Sequence, residues 1–360
     1  MMTVHSETGK LPHLQEAPNV SVLIAAYNGE AFLRSTIVSI LNQTFSDFEL
    51  IVIDDASTDA TPQIMAEIND QRLRVARNER NVGIAATLNK GITLATGRYI
   101  AIQDHDDISS PDRLELQSQF LGAHPSIAMV GSSCRIIDAS GNIVRNALVK
   151  EDDATLRWGL LWYNPFFHTT LMIRREALVE IGGYSTLPEW RFSEDYEMMS
   201  RVAQHYAVAN LPQLLGSWRM HPTSASSVHI ERQCESAANI SFRNVQQAWG
   251  CSVASLSRME RSLHQSMWSF QFASKTESAK VSSDQLCSAP SNLIKLERVF
   301  ATSTPDLKQP KRVRAARYWR WAKHSAALAL RERRSSRFHL VMLMNSMKLL
   351  VFAVGAFLFE

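Results

Sequence analysis

Two short, nearly continuous apolar runs, Val20 to Ala26 (VSVLIAA) and Phe48 to Ile53 (FELIVI), constrain this chain more than any other feature. Both are rich in β-branched side chains and lack polar alternation, the pattern of strands buried on both faces of a parallel sheet. Between and after them the spacing turns helical. Glu30 to Leu41 carries Phe32, Ile37, Ile40 and Leu41 on one side. Beyond Asp54 and Asp55, Ser57 or Thr58 is placed to cap a helix with Pro62 in its first turn and Ile64, Met65 and Ile68 on its apolar face. A weaker strand over Leu73 to Ala76, a helix over Ile84 to Leu94 and a fourth strand over Tyr99 to Gln103 follow. The chain therefore reads as α/β, a Rossmann-like, mainly parallel sheet flanked by helices and joined by right-handed crossovers. Ligands of such sheets bind beyond the carboxyl ends of the strands. That rim is where Asp54-Asp55 and Asp104-His105-Asp106-Asp107 fall.

The later pattern is mixed. Asp112 to Ala123 predicts a helix capped by Ser110 with Pro111 at its first position. Ile127 to Val130 and Cys134 to Ile137 read as strands with a turn at Gly141-Asn142, and Thr169 to Ile173 as another strand. Arg175 to Ile181 is a short helix stopped by Gly182-Gly183, and Glu194 to Gln204 is helical. From about Ser224 helical spacing dominates, with the Ser-rich stretch Ala273 to Asn292 as a linker. The expected organisation is a flexible segment 1–18, an α/β domain 19–227, a helical C-terminal extension 228–307 and a basic segment 308–360.

Composition narrows the classes. With 360 residues, 45% hydrophobic and 20% charged, the chain can bury a sizeable core, which excludes collagen-like, low-complexity and wholly disordered readings. Cys134, Cys234, Cys251 and Cys287 form no C-x-x-C pair, so neither a zinc ribbon nor a disulfide framework is supported. Met1 to Asn19 has no apolar run of a secretion signal. From Lys308 onward twelve Lys and Arg face only Glu332 and Glu360, a charge of +10 that leaves −7 for the remainder of a chain totalling +3. This basic block runs into the apolar stretch Leu340 to Phe359, interrupted by Asn345, Ser346 and Lys348. Spanning or lying flat, such a segment is expected to meet an anionic membrane surface and keep the preceding domain on the cytoplasmic side. Tyr318, Trp319 and Trp321 among Arg317, Arg320 and Lys323 read as interfacial aromatics rather than a nucleic-acid stacking platform.

Asp104, Asp106 and Asp107 place three carboxylates within four positions after a buried strand. Their mutual repulsion is costly unless a cation is near. In an extended segment Asp104 and Asp106 project to one side, where a hard divalent ion can bridge them and a diphosphate, while His105 points away and packs. Asp55 can accept a hydrogen bond from a base N–H, and Tyr27 offers a stacking face. Glu194 and Asp195 open a helix, where acids are also favoured by the macrodipole. Arg219 and His221 are candidate phosphate contacts.

Seven segments, in order, resemble the family 2 glycosyltransferases, nucleotide-sugar enzymes of the GT-A fold. They are VSVLIAAYN at Val20 to Asn28, SILNQTFSDFELIVIDDASTD at Ser39 to Asp59, NVGIAATLNKGI at Asn81 to Ile92, GRYIAIQDHDD at Gly97 to Asp107, HTTLMIRREALVEIGGYS at His168 to Ser185, SEDYEM at Ser193 to Met198, and WRMHPTSAS at Trp218 to Ser226. The resemblance covers about three fifths of the chain. It implies that Tyr27 and Asp55 hold the base with Ala25 lining its pocket, and that Asp104 and Asp106 form a D-x-D element for the sugar-nucleotide and a divalent cation, Mn²⁺ or Mg²⁺, with Asp107 nearby. It further implies that Asp195 is the general base and that His168 and the glycine turn before Tyr184 shape the acceptor side. The Q-x-x-R-W element of processive members is not found. The expected activity is inverting, non-processive transfer from a nucleotide-sugar, a UDP-sugar, to a hydroxyl of a surface polysaccharide or glycolipid. The rivals are a sugar-phosphate nucleotidyltransferase, disfavoured because Ala25-Ala26-Tyr27-Asn28 stands where a Gly-rich phosphate loop belongs, and an inactive membrane scaffold.

Overall fold

The computed structural model describes residues 18–161 and 163–249. The expected flexible N-terminal segment as far as residue 17, the Ser-rich linker and the basic apolar tail lie outside them. In chain order the elements are β1 (Val20–Ala26), α1 (Leu33–Leu41), β2 (Phe48–Asp54), α2 (Thr61–Glu67), β3 (Leu73–Arg77), α3 (Ile84–Leu94), β4 (Tyr99–Ile102), β5 (Ile108–Ser109) and α4 (Arg113–Ala123). There follow β6 (Ile127–Ile137), β7 (Ile143–Ala147), α5 (Asp153–Leu160), β8 (Met172–Arg174), α6 (Arg175–Glu180), α7 (Glu194–His205), β9 (Ala207–Arg219), α8 (Ala225–Val228) and α9 (Ile230–Trp249).

The strands form one sheet in the order β3-β2-β1-β4-β8-β6-β9-β5, with β7 folded back on β6. The β3-β2-β1-β4 half is wholly parallel, and Val20 pairs with both Phe48 and Tyr99, so these three strands begin level, while β4 ends at Ile102 opposite Leu23. The other half is mixed: β8 runs antiparallel to β4 and β6, and β9 parallel to β6. Alternate residues of β1 serve two cores. Leu23 joins Ile53, Leu88 and Ile100 under α3, while Val22 and Ile24 meet Ile37, Ile40 and Leu114 of α1 and α4 on the opposite face. Gly91 lets α3 lie close on the sheet, because a Cβ there would stand 3.1 Å from Ile53 and 3.2 Å from Leu23.

Several local expectations are corrected by long-range partners. Ser110 does not cap α4, since its hydroxyl donates to Leu214 O and Asp112 occupies the N-cap. Neither Ser57 nor Thr58 caps α2. Ser57 Oγ accepts from Asn28 N–H, and Asp59 accepts from Thr61 N–H at the helix start. The two strands expected between Ile127 and Ile137 are a single β6, and the segment expected as a strand from Thr169 begins as a 3-10 turn over His168–Thr170. Asp104 to Asp107 is a turn closed by Asp107 N–H to Asp104 O at 3.3 Å, not an extended segment.

The boundary expected after residue 227 falls within α8, and the core continues past it. Ala237 and Ile240 of α9 are buried in the same cluster as Met198, Met199 and Val202 of α7. Asn244 Nδ2 donates to Leu160 O and Ser200 Oγ, each at 2.8 Å. Among the described residues no helix is long and apolar enough to cross a membrane. Because Ile240 is fully buried, Ile240→Ala should destabilise the whole α/β unit by roughly 2–5 kcal/mol, measured by urea unfolding of the full chain. A loss below about 0.5 kcal/mol, the scale of a surface substitution, would show that α9 is not part of the core.

Candidate active site

The parallel strands deliver their carboxyl ends to one rim. Asp55 N–H donates to Ala26 O, and Gln103 N–H to Leu23 O, so the ends of β2 and β4 flank that of β1. Asp55 is buried, and its carboxylate ties down the loop before α3. Oδ1 accepts from Asn78 Nδ2 (2.8 Å) and Val82 N–H (3.0 Å), and Oδ2 from Gly83 N–H (2.8 Å). Gly83 has φ +89°, a left-handed backbone that a side chain would strain. One of the four acceptor positions of Asp55 remains. Around it Tyr27 is 44% exposed, with Val82 and Ile84 also exposed, and Ala25 is partly buried on β1. This group is the place expected for a base.

The acidic turn after β4 is held by residues far away in sequence. His168 Nδ1 lies 2.8 Å from Asp104 Oδ1, and its Nε2 lies 2.9 Å from the Tyr184 hydroxyl. His221 Nε2 lies 2.8 Å from Asp106 Oδ2, and its Nδ1 lies 2.9 Å from Thr223 Oγ1. A carboxylate only accepts, so the proton sits on Nδ1 of His168 and on Nε2 of His221. Arg219 N–H donates to Asp107 Oδ1 at 2.7 Å, and its Nε to Asp106 O at 2.8 Å. The Arg219 guanidinium also lies over the Phe32 ring and donates to Ala139 O. Arg219 and His221, expected as phosphate contacts, are thus both buried supports of the turn.

Asp195 stands in the first turn of α7, where Asn164 Nδ2 donates to its Oδ2 at 2.9 Å. Burial raises its pKa, and the nearby His168 offsets this only in part; the charge of Asp104 adds to the rise. Burial likewise raises Glu194. Burial acts to raise Asp104, but His168, His105 and Arg113 together outweigh it and hold the carboxyl below its ordinary value. The reciprocal holds for His168: burial acts to lower it, Asp104 outweighs that, and the imidazole is raised. Asp107 is pushed well above its ordinary value by burial, then by Asp106 and Asp104. Of the three carboxylates of the turn, Asp107 is thus the one whose ionisation burial and its neighbours oppose most. Asp104, Asp106, Asp107, His168, Arg219 and His221 form one bonded cluster, and Asp195 and Glu194 join it through the field of His168.

Sequence reading missed Arg113, Asn164, Tyr184 as the partner of His168, and the Asn78, Val82 and Gly83 donors to Asp55. Arg113 is fully buried and makes no ion pair among the described residues. Its Nη1 donates to Gln103 Oε1 and Ser109 Oγ, its Nη2 to Ile102 O and Leu171 O, and its Nε to Gln117 Oε1. Burial lowers its pKa to about 10, so it stays a cation beneath the turn, attracted by Asp104. The available signal was Arg113, Gln117 and Leu121 at helical spacing, a polar pair on a core-facing side. Among the described residues no three His, Cys, Asp or Glu side chains surround a common ion position. The donor chemistry nonetheless suits a hard cation: Asp104 and Asp106 are 26% and 16% exposed, and each has one carboxylate oxygen outside its histidine contact.

The sequence pattern of "Glycosyl transferase family 2" matches residues 21–185. An "Uncharacterized glycosyltransferase" of Haemophilus influenzae is 33% identical over 245 residues, 64% of this chain and 75% of its own length. Chondroitin synthase of Escherichia coli is 37% identical over 135 residues, 37% of this chain and 20% of that protein. Residues 1–349 of S. aureus TarS, crystallised in complex with UDP, superimpose with a TM-score of 0.53 at 19% identity, covering 92% of this chain and 90% of that one. That likeness shows a shared fold.

Since Asp107 has a folded pKa above its unfolded value of 3.8, the unfolded chain loses this proton first as pH rises, and native stability falls from there upward. Asp107→Asn, whose side-chain oxygen can still accept from Arg219 N–H, should therefore melt higher than wild type at about pH 8 in EDTA, with the gap closing at about pH 4. An equal difference at both pH values in calorimetry would contradict the raised pKa.

Proposed function

This chain belongs to glycosyl transferase family 2 and is a transferase of the GT-A fold, and we propose that it moves one sugar from a nucleoside-diphosphate donor to an acceptor hydroxyl with inversion at the anomeric carbon. The observation carrying this reading is that Asp195, a partly buried carboxylate of raised basicity, shares the field of His168 with the acidic turn. Acid turn and base thus serve one reaction centre. Ionised Asp195 takes the proton of the acceptor hydroxyl as that oxygen attacks the anomeric carbon; the bond to the diphosphate oxygen breaks, and the nucleoside diphosphate leaves with the electron pair. Asn164 holds Asp195 Oδ2 and leaves Oδ1 for the acceptor. No covalent enzyme nucleophile is required.

Asp104 and Asp106 are the residues that would hold a divalent cation, Mn²⁺ or Mg²⁺. When bound, such an ion supplies Lewis-acid neutralisation of charge on the leaving diphosphate. Tyr27 offers its exposed ring to the base, and Asp55 its one remaining acceptor position to a base N–H, with Ala25 beneath. A uridine donor is favoured because TarS, of like fold, was crystallised with UDP and with UDP-GlcNAc. A growing glycan as acceptor is in keeping with a relative named chondroitin synthase. The basic apolar segment 308–360 would hold the enzyme against the inner, anionic face of a membrane, near lipid-linked acceptors. Relatives named as glycosyltransferases leave little room for the nucleotidyltransferase or scaffold alternatives.

Asp195→Asn should reduce transfer by about 10²–10⁴-fold while donor affinity stays within about twofold, as steady-state kinetics and donor titration would show. An equal loss of donor binding would assign Asp195 another role. Asp106→Ala should abolish the Mn²⁺-dependent part of the thermal stabilisation given by a panel of UDP-, GDP- and dTDP-sugars. An unchanged Mn²⁺ dependence would remove Asp106 from the cation site.

A further inference from the structure

The segment leading into α7 is fastened to α9 and to His229, which precedes it. Ser236 Oγ of α9 donates to Glu189 O at 3.1 Å, and the Arg243 guanidinium lies 5.0 Å from the centre of the Trp190 ring. His229, between α8 and α9, stacks on Phe192 with ring centres 4.2 Å apart and planes inclined by 29°. Ser193 Oγ donates to Gln233 O at 3.1 Å. One turn further on, Arg243 Nη1 pairs with the buried Glu197 Oε1 at 2.6 Å. Glu189, Trp190, Phe192 and Ser193, on the approach to Asp195, are thus pinned by α9 and by His229 just before it.

Phe192 is the unusual member of the series. Its φ is +71°, a left-handed conformation that a bulky side chain rarely adopts. Only Ser193 and Glu194 separate it from Asp195. Relaxation of Phe192 to an ordinary φ would turn the chain where it enters α7 and draw Asp195 away from Asn164. The ring is kept in place by His229, with the Arg191 guanidinium 5.2 Å from its centre. Strain of this kind persists where the surroundings over-determine it.

We propose that His229 is a positioning residue: by stacking on Phe192 it holds the left-handed backbone there and so aims the Asp195 carboxylate. The role rests on the reading of Asp195 as base. It requires only the aromatic plane of His229 and no contact with donor or acceptor, so its signature is on turnover and not on donor binding.

The experiment compares wild type, His229→Ala, His229→Phe and Asp195→Asn as full chains. Hydrogen–deuterium exchange is followed on peptides covering residues 189–196, and turnover on the UDP-, GDP- or dTDP-sugar that stabilises the wild type most. His229→Ala should speed exchange in those peptides and lower kcat by about tenfold to a hundredfold with donor KM unchanged, the scale of a misplaced catalytic group. His229→Phe should restore both. Unchanged exchange in His229→Ala, a donor KM that moves as far as kcat, or a Phe variant as impaired as the Ala variant would each overturn the proposal. An active Asp195→Asn would sink the base assignment and this proposal together. An inactive Asp195→Asn beside a fully active His229→Ala would sink the positioning role alone.

Discussion

Three carboxylates crowded into four residues at the end of β4 are the constraint around which this molecule is arranged. Two anions a few ångströms apart in a partly buried site repel by several kcal/mol, and a third cannot be ionised beside them without compensation. The compensation is distributed. His168 takes Asp104, His221 takes Asp106, the Arg219 N–H takes one oxygen of Asp107, and burial with the neighbouring charges raises the Asp107 pKa. Arg113 adds a buried positive charge from below, with its donors placed on five neutral acceptors. A guanidinium so satisfied need not form a tight ion pair with any one carboxylate, which leaves the turn's outer oxygens open to the rim.

These partners come from opposite ends of the fold, and the sheet order explains how. β4 is the last of the parallel strands, and β8, its antiparallel neighbour, follows the turn that carries His168. β9 runs beside β6 and ends at Arg219, two residues before His221. The acidic turn therefore sits on the seam between the parallel half, which presents Tyr27 and Asp55, and the mixed half, which presents both histidines and α7. A parallel sheet alone would supply the first group and none of the second.

What was legible in the sequence follows the range of the interaction concerned. β1 and α3 were readable to the residue because an apolar run and a helical period are local. The acidic residues at the strand ends were found for the same reason. Ser110 was misread because its hydroxyl has a carbonyl partner 104 residues away, on Leu214, and no local rule foresees that competitor. Arg113 reads as a surface cation until the acceptors from β4, α4 and the residue before β8 are seen to enclose it. Asp104 and Asp106 were recognised, yet the turn geometry that aims them was not, since their histidine partners lie 64 and 115 residues away. Helical spacing after Ser224 was legible, whereas the membership of α9 in the core depends on Met198, Met199 and Val202 meeting Ile240 in space.

The placement of α9 changes how the proposed base should be understood. A carboxylate in the first turn of a helix is favoured in its ionised form by the backbone N–H groups there, while burial favours the neutral form. For Asp195 burial is the larger effect, and the N–H groups of Tyr196 and Asp195 itself limit the rise. The balance depends on where the helix starts relative to Asn164 and His168, which is a question of backbone direction at Phe192. On the proposed role of His229, α9 thus bears on the basicity of the proposed base, by fixing its distance from the dipoles and charges that compete for its proton. On this view basicity and aim are not separable properties of Asp195: both are consequences of one backbone path, held from behind by α9.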